Sequence, residues 1–392
     1  MTSSVKNYIY ILLFVVLSSF LVWLPFIQQL SFLGVHIPNT NTGLLYRNFD
    51  GLLYVIASKS WYKQVIIDSL HFDVPLAAKY YAAHLPLYPA IISLFALVMG
   101  YVKSMMFTTV LSSVMLGWFF YYFIKKLRLS EKPLLLTFVF LMLPRFLVVR
   151  SVGSPESLFM LLVLVSIFFF EKKNYLVAGV AGGLATMTKL PGVLLFPAFT
   201  LALFVPIASA SESRLRVGRL IEVFKTIVAE KFERLSLWLL IIPAGLVAVC
   251  LIYQKQMGDF FAYWNTGYVV PMPYPYSAFN AGARWVGTHW LEEAVLYFTL
   301  YALTVVYAYK HRVKSLFYFS LVFFVGLIFV QHRDISRYAL PLWPITCIIF
   351  ERFLTSKKTL LAFLVIVPAI YLYAWTFIQG NAMPVSNWAP FL

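Results

Sequence analysis

The sequence predicts an all-α polytopic membrane protein. Hydrophobic residues make up 61% of the 392 residues and charged residues only 12%, and the mean hydropathy is +0.83. The apolar residues fall in continuous runs of about 18 to 22 residues, each long enough to cross the hydrocarbon core of a bilayer as a helix. These runs lack the alternation of polar and apolar residues that is typical of a membrane β-barrel. A bundle of membrane-spanning helices is therefore expected.

Eleven apolar runs are clear enough to be predicted as spans. They cover approximately residues 8–28, 105–124, 133–150, 156–170, 175–189, 191–208, 236–254, 291–309, 315–331, 338–350 and 359–378. The first run follows Lys6 and has no small-residue cleavage site after it, so we interpret it as a retained helix rather than a signal peptide. No internal repeat or soluble domain is apparent, and residues 1–392 are expected to form a single domain.

A further run, 86–102, decides the predicted topology. It is led by Pro86 and Pro89. If it lies along the outer surface of the membrane, all the strongly basic loops face the cytoplasm, as short loops rich in lysine and arginine usually do. If it spans, the chain has twelve spans and every later loop is inverted. The charge bias favours a juxtamembrane helix at 86–102, with the N-terminus inside and the C-terminus outside.

The net charge of +16 follows the same pattern. The basic residues cluster in the loops 125–132, 171–174, 211–235, 310–314 and 351–358. Such clustering is typical of loops that face anionic lipid, and it argues against a nucleic-acid-binding surface. Within 211–235, apolar residues recur at helical spacing between the basic ones, which predicts an amphipathic helix on the inner leaflet. Membrane lipids are thus predicted partners, and nucleic acid is not.

Motifs for soluble nucleotides or for a protein-bound metal are absent from the sequence. There is no Asp-x-Asp and no G-x-x-x-x-G-K-[ST], and the glycines at 179–183 lie inside a predicted span instead of following a strand. Cys250 and Cys347 both lie in apolar runs, which offers neither a disulfide framework nor a metal site. No cofactor is therefore expected, while a requirement for a divalent metal stays open.

Asp50 is the first of several polar residues at the predicted outer ends of the spans. Only 15 residues of the chain are acidic, and a carboxylate kept at the membrane boundary is a functional candidate. Its apolar neighbours are expected to raise the pKa of Asp50, a shift that a nearby lysine or arginine would oppose. The competing interpretation is an ordinary solvated aspartate in a loop.

The other outer candidates also have structural interpretations. Glu156 follows a proline at the start of a span, where a carboxylate also favours the helix N-terminus. Lys189 lies between two apolar runs and could extend its ammonium group to lipid headgroups. Arg333 and Arg337 flank Asp334, and the structural interpretation of these three residues is a solvated turn with a surface ion pair.

Together, the outer residues suit transfer from a lipid-linked phosphate donor. A carboxylate, Asp50 or Glu156, can act as a general base toward an acceptor hydroxyl. Cations in a low dielectric can stabilise a departing phosphate. The predicted phosphate ligands are Lys189, His332, Arg333 and Arg337. A lipid carrier also accounts for the missing nucleotide motifs.

Several segments, in matching order and spacing across roughly residues 45–192, resemble the GPI mannosyltransferase 2 (PIG-V type) family of the GT-C superfamily of integral-membrane glycosyltransferases. The segments are Asp50-Gly51 with Tyr54, Ile56-Ala57 and Trp61-Tyr62; 83–89, which includes Pro86 and Tyr88; 154–159; and 186–192. Weaker similarity extends to Gly258-Asp259-Phe260 and to Arg337-Tyr338. The chain departs from the family pattern at Phe49, where the family has tryptophan, and at His84-Leu85, where it has two phenylalanines.

The resemblance implies a GT-C-type fold with about 11 transmembrane helices plus juxtamembrane helices in the first outer loop. We expect a catalytic module over about 1–210 and a variable module over about 236–392. The implied reaction moves a sugar, with mannose expected, from a polyprenyl- or dolichyl-phosphate donor to a hydroxyl of a glycolipid or glycan, with inversion. Asp50 would be the base. The residues expected to line the substrate cavity are Tyr54, Pro86, Tyr88, Asp259 and Tyr338.

The resemblance also implies a multi-pass protein of the cell membrane, or of the endoplasmic reticulum in a eukaryote, with its active site on the extracytoplasmic side. Two other functions stay open. A lipid-linked oligosaccharide flippase or transporter is expected to have repeated halves and polar residues at the membrane midplane. A polysaccharide polymerase is expected to have a long loop with paired arginines late in the chain. Clustering of the polar residues at one face favours an enzyme.

Overall fold

The computed structural model describes residues 3–28, 31–32, 35–36, 41–48, 50–71, 76–205, 234–266, 271–280, 282, 288–311 and 313–392. Apart from its last two residues, the amphipathic helix predicted at 211–235 lies outside this part of the chain. The described residues are overwhelmingly helical. Their two strands, β1 (Ser31–Phe32) and β2 (Val35–His36), form a two-residue antiparallel pair after the first helix.

The helices follow in chain order. They are α1 (Ser3–Gln28), α2 (Gly43–Tyr46), α3 (Gly51–Ser60), α4 (Gln64–Ser69), α5 (Leu87–Met99), α6 (Tyr101–Lys126), α7 (Pro133–Leu141), α8 (Pro144–Val149), α9 (Glu156–Glu171), α10 (Tyr175–Thr188), α11 (Leu195–Phe204), α12 (Ile241–Met257), α13 (Ala262–Asn265), α14 (Thr288–Ala308), α15 (Lys314–Ile328), α16 (Ile335–Tyr338), α17 (Trp343–Ile349), α18 (Glu351–Leu354) and α19 (Lys357–Gly380). Short 3₁₀ segments occur at Ala78–Ala83, Leu190–Leu194, Arg234–Leu240, Ser277–Phe279, Leu340–Leu342 and Ala389–Phe391.

Five described helical segments are long and apolar enough to cross a membrane. They are Val5–Gln28, Tyr101–Lys126, Ser236–Met257, Leu291–Ala308 and Lys357–Gly380. Each coincides with a predicted span, which agrees with a polytopic helical membrane protein. Shorter apolar helices, among them α10, α11 and α15, lie at further predicted spans. The total of eleven spans stays a prediction.

The uncertain run at 86–102 forms the short helix α5. Its 13 residues give a length of about 20 Å, which falls short of the roughly 30 Å hydrocarbon core. The helix ends at Gly100, whose φ of 76° is readily available only to glycine, and α6 begins at the next residue. This length favours the predicted juxtamembrane position of the segment.

Two predicted spans, 133–150 and 338–350, are broken rather than continuous, which corrects that part of the prediction. The first divides into α7 and α8 before Pro144. The second starts at the last residue of α16 and continues as a 3₁₀ turn that contains Pro341 and as the short helix α17, which has Pro344 in its first turn. Proline has no N–H to donate and its ring clashes with the preceding turn, which disfavours a continuous helix at these positions. Pro25 and Pro368 are accommodated within the longer helices α1 and α19.

The first break leaves backbone carbonyls that must be satisfied inside the bundle, since lipid offers no donors. Trp343 donates its indole N–H to the Phe140 oxygen at 2.9 Å, and Arg150 Nε donates to the Leu141 oxygen at 3.1 Å. Arg150 is fully buried, and its other nitrogens donate to hydroxyls and a carbonyl of α1, including Ser18 Oγ at 2.7 Å. This arginine therefore joins α1 to the broken helix.

Glycines allow the close crossing of α10 and α12. A Cβ atom on Gly245 would stand 2.5 Å from the backbone oxygen of Gly183, and one on Gly183 would stand 2.8 Å from the oxygen of Ile241. Small residues at helix contacts let backbones approach in this way in membrane proteins. The glycines at 179–183 thus have a packing role.

The C-terminal segment after α19 folds over the loop that contains Asp50. Met383 N donates to the Arg47 oxygen at 2.7 Å, and Lys59 Nζ donates to the Pro390 oxygen at 2.8 Å. Phe391 is fully buried in an apolar cluster that also contains Leu52 and Leu53 of α3. The first loop and the C-terminal segment therefore lie at one end of the bundle, as the predicted topology requires. The side of the membrane stays a prediction.

Candidate functional site

Four charged side chains, from elements far apart in the sequence, meet at this end of the bundle. Asp50 directly precedes α3, Glu156 is the first residue of α9, Lys189 directly follows α10, and Arg337 lies in the short helix α16. All four thus lie at or next to helix ends, where apolar packing gives way to polar surroundings. The structure brings together four of the predicted site residues.

Glu156 is the centre of the cluster. Its Oε1 accepts hydrogen bonds from Lys189 Nζ at 2.8 Å and from Arg337 Nε at 2.5 Å, and Ser154 Oγ donates to its other oxygen. Its side chain is only 2% exposed. A buried carboxylate that is already bonded to three donors is a poor general base, and it holds both cations in place instead. This is more than the helix-terminus role considered from the sequence.

Arg337 bridges the two carboxylates of the site. Its Nε donates to Glu156, and its Nη1 donates to Oδ2 of Asp50. The side chain of Asp50 is 13% exposed and that of Arg337 is 20% exposed, so the pair faces a partly enclosed space. Two carboxylates and two cations balance in charge, which allows the cluster to be buried.

The Asp50 carboxyl is subject to two opposed effects. Burial, the largest single effect, raises its pKa, as its apolar surroundings predict, but the charge and hydrogen bond of Arg337 together with the charge of His84 outweigh burial. The pKa of Asp50 therefore lies below its ordinary value. In this state Asp50 is an ionised carboxylate whose basicity is reduced by its partner.

A cavity of about 110 Å³ lies beside the charged cluster. Its polar and aromatic lining consists of Asp50, Tyr54, His84, Thr188, Lys189, Tyr263, Arg337 and Tyr338. Tyr54 and Tyr338 were predicted to line it. Lys189 Nζ also lies 5.6 Å from the ring centre of Tyr338, within the range of a cation–π contact. The cavity thus offers a base, two cations and aromatic surfaces.

Three other predicted lining residues lie outside the cavity wall. Tyr88 is fully buried behind Tyr54, with ring centres 5.0 Å apart. Pro86 is the buried residue that precedes α5. Asp259 lies in an exposed turn, where its carboxylate accepts from Phe261 N. These residues support the surrounding structure.

Of the predicted phosphate ligands in the turn 331–338, some lie at the charged cluster and others do not. Arg337 enters the cluster, whereas Arg333 is exposed and lines no described cavity. The His332 ring packs against Tyr338 at 5.0 Å, and its Nδ1 accepts from the Asp334 backbone at 2.9 Å. Burial lowers the pKa of His332 to about 4, so the ring is neutral at pH 7.

His84 was quoted in a motif but was not predicted as a site residue. It lines the cavity, is 3% exposed, and has an Nδ1 atom that is buried without a hydrogen-bond partner. Burial lowers the pKa of His84 to about 4, so its ring is neutral at pH 7. A buried polar atom that lacks a partner is a signal for ligand binding or strain, and only the structure reveals it.

Arg145 is a second residue that the sequence reasoning missed. It is almost fully buried, pairs with Asp334 and stacks its guanidinium 4.0 Å from the Phe377 ring centre. Asp334 directly precedes α16, so this pair fixes the helix that presents Arg337. An arginine inside the predicted apolar run 133–150 was the available signal.

No group of three or more histidine, cysteine, aspartate and glutamate side chains that could hold a metal occurs among the residues the structure describes. The two carboxylates of the site are engaged by Lys189 and Arg337. A metal requirement is therefore left as open as the sequence left it.

No protein-family model matches the chain, and no curated protein matches it either. Among solved structures, the archaeal oligosaccharyltransferase AglB from Archaeoglobus fulgidus, in complex with an inhibitory peptide and a dolichol-phosphate, is 13% identical with a TM-score of 0.49. The alignment covers 96% of this chain and 56% of AglB.

A second Archaeoglobus fulgidus oligosaccharyltransferase structure, tethered to an acceptor peptide with the NVT sequon, is 12% identical with a TM-score of 0.47 and coverages of 97% and 56%. A third, in complex with Zn and sulfate, is 12% identical with a TM-score of 0.46 and coverages of 95% and 54%. This chain spans just over half the length of these proteins. Likeness of this degree establishes neither fold family nor activity.

The two neutral histidines predict the pH dependence of stability. Their pKa values in the folded protein, about 4, lie below the ordinary value of 6.5, so the unfolded chain binds protons that the folded protein does not. As the pH falls from 6.5 to 4, the free energy of unfolding should therefore decrease, by roughly 1–3 kcal/mol per histidine. Asp50, whose pKa is lowered, contributes stability that is lost at still lower pH.

Melting temperatures of the purified protein across this range check the expectation. His84→Gln and His332→Gln should each reduce the pH dependence, and the double variant should remove most of it. A melting temperature that stays constant from pH 6.5 to 4, or single variants with the wild-type slope, would contradict the account.

Proposed function

We propose that the protein is a glycosyltransferase that moves a sugar from a lipid-linked phosphate to a hydroxyl acceptor. The observation that carries the proposal is the joint position of Asp50, Lys189 and Arg337 on one small cavity, with Glu156 behind both cations. A base and a phosphate site must lie within a few ångströms of the anomeric carbon for such a transfer. The resemblance of the first-loop segments to a GT-C family supports the same reading.

Lys189 and Arg337 are the proposed ligands of the donor phosphate. Both side chains are about one-fifth exposed toward the cavity and are anchored from behind by Glu156. Cations in a partly enclosed, low-dielectric site stabilise the negative charge that develops on a departing phosphate. Because Glu156 already holds both groups in place, little reorganisation is needed when the phosphate binds.

Asp50 is the proposed general base. It takes the proton of the acceptor hydroxyl while the hydroxyl oxygen bonds to the anomeric carbon. The bond between that carbon and the phosphate oxygen breaks with its electrons going to the phosphate, which leaves as the lipid phosphate. Attack from the face opposite the phosphate inverts the anomeric configuration.

The ion pair with Arg337 weakens Asp50 as a base for as long as the pair is intact. A phosphate that takes one of the Arg337 donors would compete with Asp50, release it and raise its pKa toward the ordinary value. Donor binding would therefore prepare the base, and the acceptor hydroxyl would be activated only when a donor is present.

The finer parts of the proposal rest on the family resemblance. They are mannose as the sugar, a polyprenyl or dolichyl carrier, a glycolipid or glycan acceptor, and an extracytoplasmic site. His84, neutral and beside Asp50 at the cavity, is placed to hydrogen-bond a substrate hydroxyl. A flippase or polymerase is less consistent with a base and two cations gathered on one small cavity.

Asp50→Asn tests the base. The change keeps the size of the side chain and removes its basicity, so turnover of a radiolabelled polyprenyl-phosphate mannose should fall by about 10²–10⁴-fold. Donor binding should be retained or become tighter, because Lys189 and Arg337 are unchanged and an ionised Asp50 no longer competes for Arg337. Product formation and donor affinity, measured on the same purified protein, separate the two effects.

Asp259→Asn is the matched control, since this half-buried aspartate lies outside the cavity wall, and it should turn over at the wild-type rate. Near-normal turnover in Asp50→Asn would disprove the base role. If the wild type transfers no sugar from any of several polyprenyl-phosphate donors to any acceptor offered, the glycosyltransferase proposal itself fails.

The proposed phosphate-binding site, Lys189 and Arg337, is tested by removing each positive charge in turn. Lys189→Ala and Arg337→Ala should each weaken donor binding by roughly 1.5–3 kcal/mol through loss of a charge-assisted hydrogen bond. Arg333→Ala removes an exposed arginine from the same turn and should have little effect. Binding of radiolabelled donor in detergent gives the affinities.

Because Arg337→Ala also leaves Glu156 and Asp50 with one partner fewer, the thermal stability of each variant is measured in parallel. Arg337→Lys keeps the charge and should recover part of the donor affinity. Unchanged donor affinity in folded forms of both alanine variants would refute the assignment.

A further inference from the structure

A large groove lies at the end of the bundle opposite Asp50. Its volume is about 870 Å³, and its walls come from the last turns of α14, from α17, and from α18 with the residue before it. α17 leads away from the Arg337 turn, and α15, which starts near the groove, ends beside the cavity that contains Asp50. The groove is therefore remote from the proposed active site.

The walls of the groove are apolar and extend to membrane depth. They include Leu300, Leu303, Tyr307, Trp343, Ile349 and Phe353. The α14 residues Leu300 to Tyr307 cover about 10 Å at the end of a segment that is long enough to cross a membrane. Apolar walls of this kind do not hold ordered water, and their chemistry suits a hydrocarbon chain.

The side chains of Thr346 and Glu351 within the groove already have hydrogen-bond partners in the protein. The Thr346 hydroxyl pairs with Thr304 at 2.8 Å and donates to the Leu342 oxygen at 3.0 Å. Glu351 Oε1 accepts from Ser130 Oγ at 2.9 Å and from the Glu131 backbone at 3.1 Å. These groups leave no unmet demand for a polar ligand deep in the groove.

The mouth of the groove is basic. Arg352 is a lining residue whose side chain is 89% exposed, and its contact with Glu131 is long, at 3.7 Å, between two exposed side chains. Such a pair holds the arginine only weakly. The three stretches 125–132, 310–314 and 351–358 together contain ten lysines and arginines against two glutamates. The charge at the mouth complements an anionic headgroup.

We propose that this groove binds an anionic phospholipid, with an acyl chain between α14 and α17 and the phosphate beside Arg352. Basic pockets between membrane helices are suited to anionic headgroups, and each nearby lysine or arginine strengthens such binding by about fivefold. In the predicted orientation this is the cytoplasmic leaflet, which contains the anionic lipids. The proposal is independent of the glycosyltransferase reaction.

Native mass spectrometry of the protein, purified in mild detergent and exposed to phosphatidylglycerol or phosphatidylcholine, tests the site. We expect phosphatidylglycerol to be retained preferentially and to raise the melting temperature more than phosphatidylcholine does. Leu303→Trp, which fills the groove, should abolish retention of that lipid. Arg352→Gln should weaken it about fivefold.

Leu296→Trp is the matched control, because it places the same side chain at an exposed position of α14 outside the groove, and it should retain the lipid. Equal retention of the two lipids, or wild-type retention in Leu303→Trp, would overturn the proposal. A second copy of the chain or another protein cross-linked through Tyr307 or Phe353 in membranes would also overturn it.

Discussion

The position of Arg337 between Asp50 and Glu156 is the interaction on which the candidate site depends. Glu156 is buried and fixed by three donors, so it anchors Arg337 and Lys189 from behind. Asp50 accepts a hydrogen bond from Arg337 Nη1 at the cavity. Removing any member would leave a charge partly buried without its partner, which is costly in a low dielectric. The four groups therefore act as one unit, and the same pairing that stabilises the site keeps Asp50 a weak base until a competing anion arrives.

The rest of the fold serves to bring these four groups to one place without leaving backbone groups unpaired in the membrane. Helix breaks at prolines create the short helix that presents Arg337, and buried side chains satisfy the carbonyls that the first break exposes. The Arg145–Asp334 pair fixes the start of that short helix. The C-terminal segment covers the loop before Asp50. Rigid placement of this kind is what a transfer reaction requires.

Local sequence features predicted part of this arrangement. The long apolar runs predicted the five membrane-length helices, and the scarcity of acidic residues drew attention to Asp50 and Glu156. Lys189 and Arg337 were predicted in the same site, but the pairing could not be predicted, because Asp50 and Arg337 are 287 residues apart and no periodic pattern encodes such a contact. The prolines at 144, 341 and 344 were visible, yet continuous hydropathy concealed the breaks they cause. His84 became a candidate only when its burial beside Asp50 was known.

The central claim is that a donor phosphate and Asp50 compete for Arg337, and a double-mutant cycle on binding of polyprenyl phosphate tests it most directly. Affinities are measured for the wild type, Asp50→Asn, Arg337→Gln and the double variant. The account predicts that Asp50→Asn tightens binding when Arg337 is present, because a competitor is removed, and has no effect in the Arg337→Gln background. Weaker binding in Asp50→Asn, or an equal effect in both backgrounds, would contradict it.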